Sequence, residues 1–189
     1  EIYVGSADGA RAPELVRSTD ALFKYVMDWS PDGRFLVFGW VDPSTQGDIY
    51  LLPMSGERKP EPYLVSPYSE AGARVSPDGR WIAYGSDESG TQEIYVQSFP
   101  KPGHKVRVSS DGGFGPSWSR GGKELLYFAR EGALMSVPID AGDKLQPGAP
   151  RKLLTISNLT GGGDVTADGE RFLFSVAAEA PHRGIQLFV

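Results

Sequence analysis

The stretch Ser76-Pro77-Asp78-Gly79-Arg80 recurs along the chain and decides how the protein folds. Ser30-Pro31-Asp32-Gly33-Arg34 is an identical copy, 46 residues earlier. Altered copies begin at Ser119, 43 residues later, and at Thr166, a further 47 residues on. A second marker, an acidic residue followed by Ile and Tyr, keeps a similar spacing and begins at Glu1, Asp48 and Glu93. Two markers that share one period indicate a tandem repeat of about 45 residues.

Fixed positions after each turn are apolar in every copy. Six residues after the Ser or Thr stand Leu36, Ile82, Leu125 and Phe172. Eight residues after it stand four aromatic residues, Phe38, Tyr84, Tyr127 and Phe174. The column between these two holds Val37, Ala83, Leu126 and Leu173. Because successive residues of a strand point to opposite faces, this strand is apolar on both faces and is predicted to lie between two layers.

The repeated turn predicts a β-hairpin within each unit. Proline presets the backbone at the second turn position, aspartate bonds its own backbone, and glycine supplies a positive φ. Each unit is predicted to hold four strands, which in the second full unit cover residues 73–76, 81–86, 93–99 and 105–109. Helical periodicity is almost absent, and residues 13–27 are expected to form a strand and a longer loop. Four-stranded units of this length, apolar on both faces, are typical of β-propeller blades.

Composition and charge exclude several classes of protein. The 189 residues include no cysteine, which excludes disulfide scaffolds, thiolate zinc sites and cysteine nucleophiles. A hydrophobic content of 40%, with 11% aromatic residues, is enough to fill a packed core. The net charge of −5 argues against a nucleic-acid partner. No apolar run approaches the ~18 residues of a membrane helix, so no membrane span is predicted.

The Ser-Pro-Asp-Gly-Arg turn, the aromatic residue eight positions after its serine and the Asp/Glu-Ile-Tyr strand resemble the TolB-type β-propeller repeat, a relative of the WD repeats. The resemblance extends over nearly the whole chain. It departs in the third copy of the turn, which lacks Pro and Asp, and in the fourth, where Ala167 replaces Pro. It implies a propeller of six or more blades, as in periplasmic TolB, in lids of prolyl-oligopeptidase-like hydrolases and in extensions of bacterial kinases and regulators. On this resemblance alone, a bacterial source and a periplasmic or extracytoplasmic location are expected.

The chain is predicted to be a single all-β domain of about four blades, each with four antiparallel strands, and to be a segment of a larger propeller. Its repeat units cover approximately residues 1–20, 21–67, 68–110, 111–157 and 158–189, of which the first and last are partial. Open strand edges must be paired or covered. The leading outer strand, residues 14–17, is expected to complete the last blade within the chain; alternatively, two chains form a homodimer through open blade edges.

No catalytic constellation is recognised in the sequence. Gly115-Pro116-Ser117-Trp118-Ser119 comes nearest to a nucleophile elbow, but it lacks the closing glycine and falls on a predicted innermost strand. The only histidines, His104 and His182, stand in predicted loops and are too few for a zinc site. The short acidic loops lack the ligand spacing of a calcium loop. We therefore predict no enzymatic activity, no cofactor and no metal site.

One set of loops is predicted to share a face of the propeller around its channel. These loops join the second strand of a blade to its third, and the last strand to the next blade. Loops on a rigid scaffold concentrate binding residues, and protruding aromatics with mixed charges suit a protein or peptide contact. The predicted partner-contact residues are Phe23, Trp40, Tyr68, Glu70, Asp87, Glu88, Phe114 and Arg130. Four further residues are expected on the same face: Tyr25, Asp42, His182 and Arg183.

Three functions are compatible with these observations. The first is a non-catalytic scaffold that binds a protein or peptide partner, or the sensor part of a longer bacterial protein. The second is the gating domain of a prolyl-oligopeptidase-like serine hydrolase whose catalytic domain is absent from this sequence. The third is a structural module for oligomerisation through blade edges. A strong scaffold signal without a catalytic constellation favours the first.

Overall fold

The computed structural model describes residues 1–17, 23–42, 45–142, 144–166, 168–177 and 187–188. These residues form β-strands joined by turns and two short 3-10 helices, with no α-helix among them. No helix in this part of the chain is long and apolar enough to cross a membrane. The predicted all-β class is confirmed.

The described strands form antiparallel sheets that follow one another in chain order. Sheet one holds β1 (Ile2–Val4) and β2 (Glu14–Arg17). Sheet two holds β3 (Phe23–Trp29), β4 (Phe35–Asp42), β5 (Gln46–Pro53) and β6 (Glu61–Leu64). Sheet three holds β7 (Glu70–Val75), β8 (Trp81–Ser86), β9 (Glu93–Ser98) and β10 (Lys105–Arg107). Sheet four holds β11 (Phe114–Ser119), β12 (Glu124–Phe128), β13 (Ala133–Ala141), β14 (Leu145–Pro147) and β15 (Arg151–Thr155). Sheet five holds β16 (Leu159–Val165), β17 (Phe172–Val176) and β18 (Leu187–Phe188).

Sheets two to five form a four-blade β-propeller arrangement. Their innermost strands β3, β7, β11 and β16 are neighbours in that order. In sheets two and three the remaining strands follow outwards in sequence order. Sheet one contributes two further strands, and its Ile2 and Val16 pack against sheet two. The predicted propeller architecture is therefore confirmed.

The apolar columns of the repeat pack against different neighbours, as expected for strands that lie between two layers. In the aromatic column, Phe38 of β4 packs with sheet one and Tyr84 of β8 packs with sheet two. In the column one residue before the aromatic one, Val37 and Ala83 pack against the following sheet, which is sheet three for Val37 and sheet four for Ala83. Leu173 of β17 occupies the same column and is 42% exposed, since the described chain places no sheet after sheet five. Strands β4, β8 and β12 thus each present one face to the preceding sheet and one to the following sheet.

The two identical turns share one geometry, seen here in sheet three. The Ser76 hydroxyl donates to Asp78 Oδ1 at 2.6 Å and accepts the Trp81 backbone N–H at 3.0 Å. Asp78 also accepts the backbone and the guanidinium of Arg80, at 3.1 and 2.8 Å. Gly79 has a φ of +69°, a backbone conformation that favours glycine. The side chains of Ser76, Asp78 and Arg80 therefore all form hydrogen bonds within the turn.

Three details differ from the sequence prediction. The innermost strand of sheet three begins at Glu70 rather than at residue 73. The outer part of sheet four consists of two short strands, because β13 has nine residues and pairs with β14 near its end and β15 near its beginning. Strand Glu14–Arg17 pairs with β1, and within the described residues it forms no ladder with sheet five. The expected completion of the last blade within the chain is thus not seen in this part of the structure.

Candidate functional site: the loop face

The loops that were predicted to share a face lie at one end of the sheets, because neighbouring strands run in opposite directions. They are the connections β4–β5, β8–β9 and β12–β13, together with the crossovers β6–β7 and β10–β11. We call this end of sheets two to four the loop face. The opposite end carries the Ser-Pro-Asp-Gly turns, and we call it the turn face.

Tyr68 and Phe114, two of the predicted aromatic contact residues, are exposed on the loop face. Tyr68 in the β6–β7 crossover is 42% exposed, and Phe114 at the start of β11 is 41% exposed. The Phe114 ring stacks on Phe128 with ring centroids 5.5 Å apart, which fixes its orientation. The backbone N–H of Tyr68 donates to Ser66 Oγ at 3.1 Å, which orders the crossover around it. Both predicted contact residues therefore present apolar surface from positions that the scaffold holds in place.

A cavity of about 480 Å³ opens beside the β10–β11 crossover and the β12–β13 loop. Its wall includes Asp111 and Gly112 from the crossover and Arg130 and Glu131 from the loop, and Met135 of β13 adds an apolar side chain. A Cβ on Gly112 would lie 3.2 Å from Arg130 Cγ, so the arginine side chain rests on this glycine. The cavity volume is within the usual range for ligand sites.

The charged groups around this cavity make no ion pairs within the described residues. Arg130, Asp111 and Glu131 are all exposed, and none takes part in the ion pairs found in this part of the chain. Glu131 has a φ of +59°, a strained conformation for a residue other than glycine. Burial raises the pKa of Tyr127, which lines the same cavity, and the negative charges of Glu93 and Asp111 add to this effect. The cavity therefore offers one cation and two anions to a bound partner.

Asp87 and Glu88, the predicted acidic contact residues, are only half-exposed and have partners within the protein. Asp87 Oδ1 accepts the backbone N–H of Ser69 at 2.9 Å, which links the β8–β9 loop to the β6–β7 crossover. Lys105 Nζ donates to both carboxylate oxygens of Glu88, at 2.8 and 2.6 Å. These two carboxylates stabilise the loop face through hydrogen bonds within the protein, so they are less available for contacts with a partner.

Two predicted contact residues need correction. Glu70 is only 3% exposed, and its carboxylate accepts the hydroxyls of Ser66 and Ser86 at 2.7 and 3.4 Å. It is buried because the start of β5 packs directly on the start of β7. Trp40 is half-buried, and its ring lies 5.1 Å from the Tyr50 ring, in the cluster between sheets one and two. The Glu70 side chain is therefore not accessible to a partner, and Trp40 is only partly exposed.

The remaining predicted residues divide between described and undescribed parts of the chain. Phe23 begins β3, at the expected end of the sheet, but its side chain lies outside the described part. Tyr25 is exposed near the same end, and Asp42 closes β4. His182 and Arg183 lie outside the described residues.

Sequence reasoning missed Asp111 and Glu131 as members of the cavity wall. Asp111 belongs to Ser109-Ser110-Asp111-Gly112, whose position before an innermost strand was the available signal. Glu131 follows the predicted Arg130 directly, in a loop without a repeat column. Ser117, the nearest approach to a nucleophile, lies within innermost strand β11 as predicted, paired with Leu126 of β12.

A second cavity of about 450 Å³ lies on the turn face, between sheets three and four. The side chains of Trp81 and Trp118 form part of its wall, and the altered turn contributes Gly121, Gly122 and Lys123. The Trp118 indole N–H donates to the Arg74 carbonyl at 2.9 Å, so that this ring has a fixed position. None of the predicted contact residues lines this cavity.

No family model matches the chain, and no curated protein matches it either. Solved structures do match. TolB from Acinetobacter baumannii is 19% identical with a TM-score of 0.70, over 98% of this chain and 44% of that protein. A puromycin hydrolase, solved as a mutant, is 18% identical with a TM-score of 0.64, over 95% of this chain and 29% of that protein. A prolyl endopeptidase structure is 17% identical with a TM-score of 0.51, over 82% of this chain and 24% of that protein.

The chain spans less than half the length of each of these three proteins. At such low sequence identity, the likeness concerns the path of the backbone. It agrees with the sheet order, the repeat and the inter-sheet packing described above. The chain therefore has the β-propeller fold that is also found in TolB proteins.

Proposed function

We propose that this propeller binds a protein or peptide partner at its loop face and performs no catalysis of its own. The observation that supports the proposal is the 480 Å³ cavity, whose charged wall residues lack ion-pair partners in the described structure. The exposed rings of Tyr68 and Phe114 lie on the same face. Aromatic and arginine side chains carry much of the binding energy in protein interfaces.

The cavity and the rings suit an extended segment with a carboxylate and an apolar side chain. The Arg130 guanidinium would take the carboxylate, because it offers a planar fork of donors. An apolar side chain would enter beside Met135 and Ala133, and Phe114 would cover the neighbouring part of the segment. The rigid sheets beneath reduce the entropy lost on binding, since few groups on the protein must become ordered.

A displayed library of random peptides, selected on the immobilised protein, tests this proposal. We expect selected peptides to lose about tenfold in affinity, or roughly 1.4 kcal/mol, for Phe114→Ala and for Arg130→Ala. The matched control is Tyr3→Ala in sheet one, which removes another exposed aromatic side chain, far along the chain from the cavity. Arg130→Glu should weaken binding further, and the loss should shrink at high salt.

Thermal unfolding of each variant separates loss of binding from loss of folding, because Phe114 also stacks on Phe128. Equal affinity of the selected peptides for wild type and both loop-face variants would place their site elsewhere and contradict the proposal. Robust hydrolysis of ester or peptide substrates by the chain alone would contradict its non-catalytic part.

A second candidate function is the gating domain of a serine hydrolase. The fold shared with a puromycin hydrolase and a prolyl endopeptidase favours it. In that case the gene would encode a Gly-x-Ser-x-Gly elbow in a further domain outside these 189 residues. Sequencing the complete reading frame separates the two candidates, because a binding scaffold or sensor requires no such elbow.

A further inference from the structure

Two buried acidic residues lie near each other where sheet two packs on sheet three. Asp48 of β5 is 2% exposed and Glu70 of β7 is 3% exposed. The two segments approach closely, since a Cβ on Gly47 would lie 2.9 Å from the Glu70 carbonyl oxygen and 3.3 Å from Ser69 Oγ. This close approach brings the two acidic residues to one site inside the protein.

In the part of the chain that the structure describes, each carboxylate has one oxygen that accepts a hydrogen bond and one that accepts none. Asp48 Oδ2 accepts the Thr45 hydroxyl at 2.6 Å, and Glu70 Oε1 accepts the hydroxyls of Ser66 and Ser86. Asp48 Oδ1 and Glu70 Oε2 are buried and have no hydrogen-bond partner among the described residues. An ionised oxygen in this state is strongly unfavourable, because it has lost its water and gained no donor.

The charged groups near Asp48 and Glu70 do not stabilise two ionised carboxylates at this site. Burial raises the pKa of Glu70, and the negative charges of Asp48 and Asp87 raise it further, whereas the bonds from Ser66 and Ser86 act in the opposite direction. Glu88 of the adjacent loop is neutralised by Lys105. No described arginine or lysine forms an ion pair with Asp48 or Glu70. The described residues also include no group of three or more potential metal ligands.

We propose that Glu70 is protonated and shares this proton with Asp48 through a hydrogen bond from Glu70 Oε2–H to Asp48 Oδ1. The proton turns Glu70 Oε2 into a hydrogen-bond donor. Asp48 Oδ1 accepts this hydrogen bond, so both oxygens gain a partner. The proton also removes one of the two buried negative charges, which is the usual result when two carboxylates share a site.

The pair is connected to the loop face, so its proton regulates the proposed binding site. Ser66 Oγ, which donates to Glu70, also accepts the backbone N–H of Tyr68. Ser69, next to Glu70, donates its backbone N–H to Asp87. Loss of the proton restores repulsion at the base of the β6–β7 crossover and loosens the position of Tyr68. This regulatory part rests on the proposed function, whereas the shared proton does not.

The direction of the pH effect follows from the raised pKa of Glu70. The folded state then holds its proton more tightly than the unfolded state, whose glutamate titrates near 4.5. The stabilisation is complete below that ordinary value and is lost as the pH rises through the raised value of the folded state. We therefore expect the pair to contribute less to stability at pH 8 than at pH 5.

Thermal unfolding from pH 5 to pH 8 tests the shared proton with Glu70→Gln. The glutamine amide donates to Asp48 Oδ1 at every pH, so this variant should unfold roughly 2–4 °C above wild type at pH 8. The difference should shrink towards pH 5. The matched control is Glu93→Gln, because buried Glu93 has both oxygens bonded, by the Ser109 hydroxyl and by the Gly112 N–H. That variant should unfold below wild type throughout.

Two results would overturn the shared proton. One is a Glu70→Gln variant whose unfolding temperature at pH 8 lies below that of wild type, as expected for Glu93→Gln. Such a result would mean that the folded protein requires both carboxylates of the pair to be ionised. The other is stabilisation of wild type by millimolar Ca²⁺, reversed by EDTA and absent in Glu70→Gln, because a cation would then occupy the site.

Peptide affinity at pH 5 and pH 8 tests the regulatory part. Weaker binding at pH 8 for wild type, but not for Glu70→Gln, supports it, and equal pH dependence of the two proteins overturns it. If the library yields no peptide, the proposed function fails, while the unfolding experiment still decides on the proton.

Discussion

In the turns of sheets three and four, a serine and an arginine donate hydrogen bonds to one carboxylate, but this carboxylate stands at different positions in the two sequences. In sheet three, Ser76 and Arg80 both bond Asp78 inside the turn. In sheet four the turn is a 3-10 helix at residues 120–122, and the Ser119 hydroxyl donates instead to Glu124 Oε2 at 3.2 Å. Arg120 Nε donates to the same oxygen at 3.1 Å, whereas in the regular turn Ser76 and Arg80 Nε donate to the two different oxygens of Asp78.

The comparison shows that the serine–carboxylate–arginine contact is retained in space while both the carboxylate and the arginine change position in the sequence. Glycine replaces the aspartate at position 121, and Glu124 at the start of β12 supplies the carboxylate instead. Burial acts to raise the pKa of Glu124, but hydrogen bonds from Ser136 and Ser119 and the charge of Arg120 outweigh it and lower the pKa. The turn that looks degenerate in sequence therefore keeps a serine–carboxylate–arginine contact.

The largest expected effect is the loss of the relocated carboxylate. Glu124→Ala should lower the free energy of unfolding by about 2–3 kcal/mol, because it leaves the hydroxyls of Ser119 and Ser136 buried without their acceptor. Asp78→Ala, the matched change in the regular turn, should cost about 1 kcal/mol, since Asp78 is more exposed. Denaturant unfolding measures both, and an equal or larger loss for Asp78→Ala would break the comparison.

The serine should matter more in the regular turn. Ser76→Ala removes two hydrogen bonds, one to Asp78 and one from the buried Trp81 N–H, and should cost about 1–2 kcal/mol. Ser119→Ala removes the single bond to Glu124 seen among the described residues and should cost about 1 kcal/mol. Paired denaturant titrations that give the reverse order would contradict the larger role assigned to the serine of the regular turn.

The arginines of the two identical turns should differ by a smaller amount. Arg80 donates to the carbonyl oxygens of Ala141 and Gly142 in the next sheet, at 2.5 and 3.4 Å. Arg34 has its ion pair with Asp32, and its guanidinium lies over the Phe35 ring. Arg80→Ala should cost about 1 kcal/mol, and Arg34→Ala less than about 0.5 kcal/mol. Equal losses in chemical denaturation would mean that the contact between the sheets contributes nothing.

The smallest effect is a titration inside the first turn. Hydrogen bonds from the Ser30 hydroxyl and from the Arg34 backbone and side chain lower the pKa of Asp32 to about 2. Its contribution to stability is therefore present above the ordinary aspartate value of 3.8 and is lost as the pH falls through about 2. Carbon-detected NMR of the carboxyl should show this midpoint, and Ser30→Ala should raise it. If the midpoint is unchanged in that variant, the Ser30 hydroxyl is not the main cause of the lowered pKa of Asp32.

Strand β8 shows what the repeat could predict. Residues 81–86 were predicted as a strand and form one with the same bounds, because the turn marks its beginning and the apolar columns mark its course. The preceding strand β7 begins three residues earlier than predicted. Its pairing with β8 is irregular between Ala71 and Arg74, and such a bulge interrupts the alternation on which the prediction depends.

Glu70 shows why the site was harder to predict than the fold. A glutamate beside an innermost strand is ordinarily exposed. Its burial depends on the close approach of Gly47, a residue more than twenty positions away on another sheet. Asp111 and Glu131 were missed for a related reason, since the loops that hold them follow no repeat column. The local pattern thus predicted the blades, while contacts between blades determined which loop residues are available.

The apolar clusters of this molecule have a mechanical consequence. Each described cluster joins only two consecutive sheets, as Tyr84 and Val37 do for sheets two and three. A force applied along the chain should therefore detach sheets one after another, with a separate rupture for each junction, as in linear repeat arrays. The weakest junction would set the load at which extension begins, and strengthening any other junction would leave that threshold unchanged.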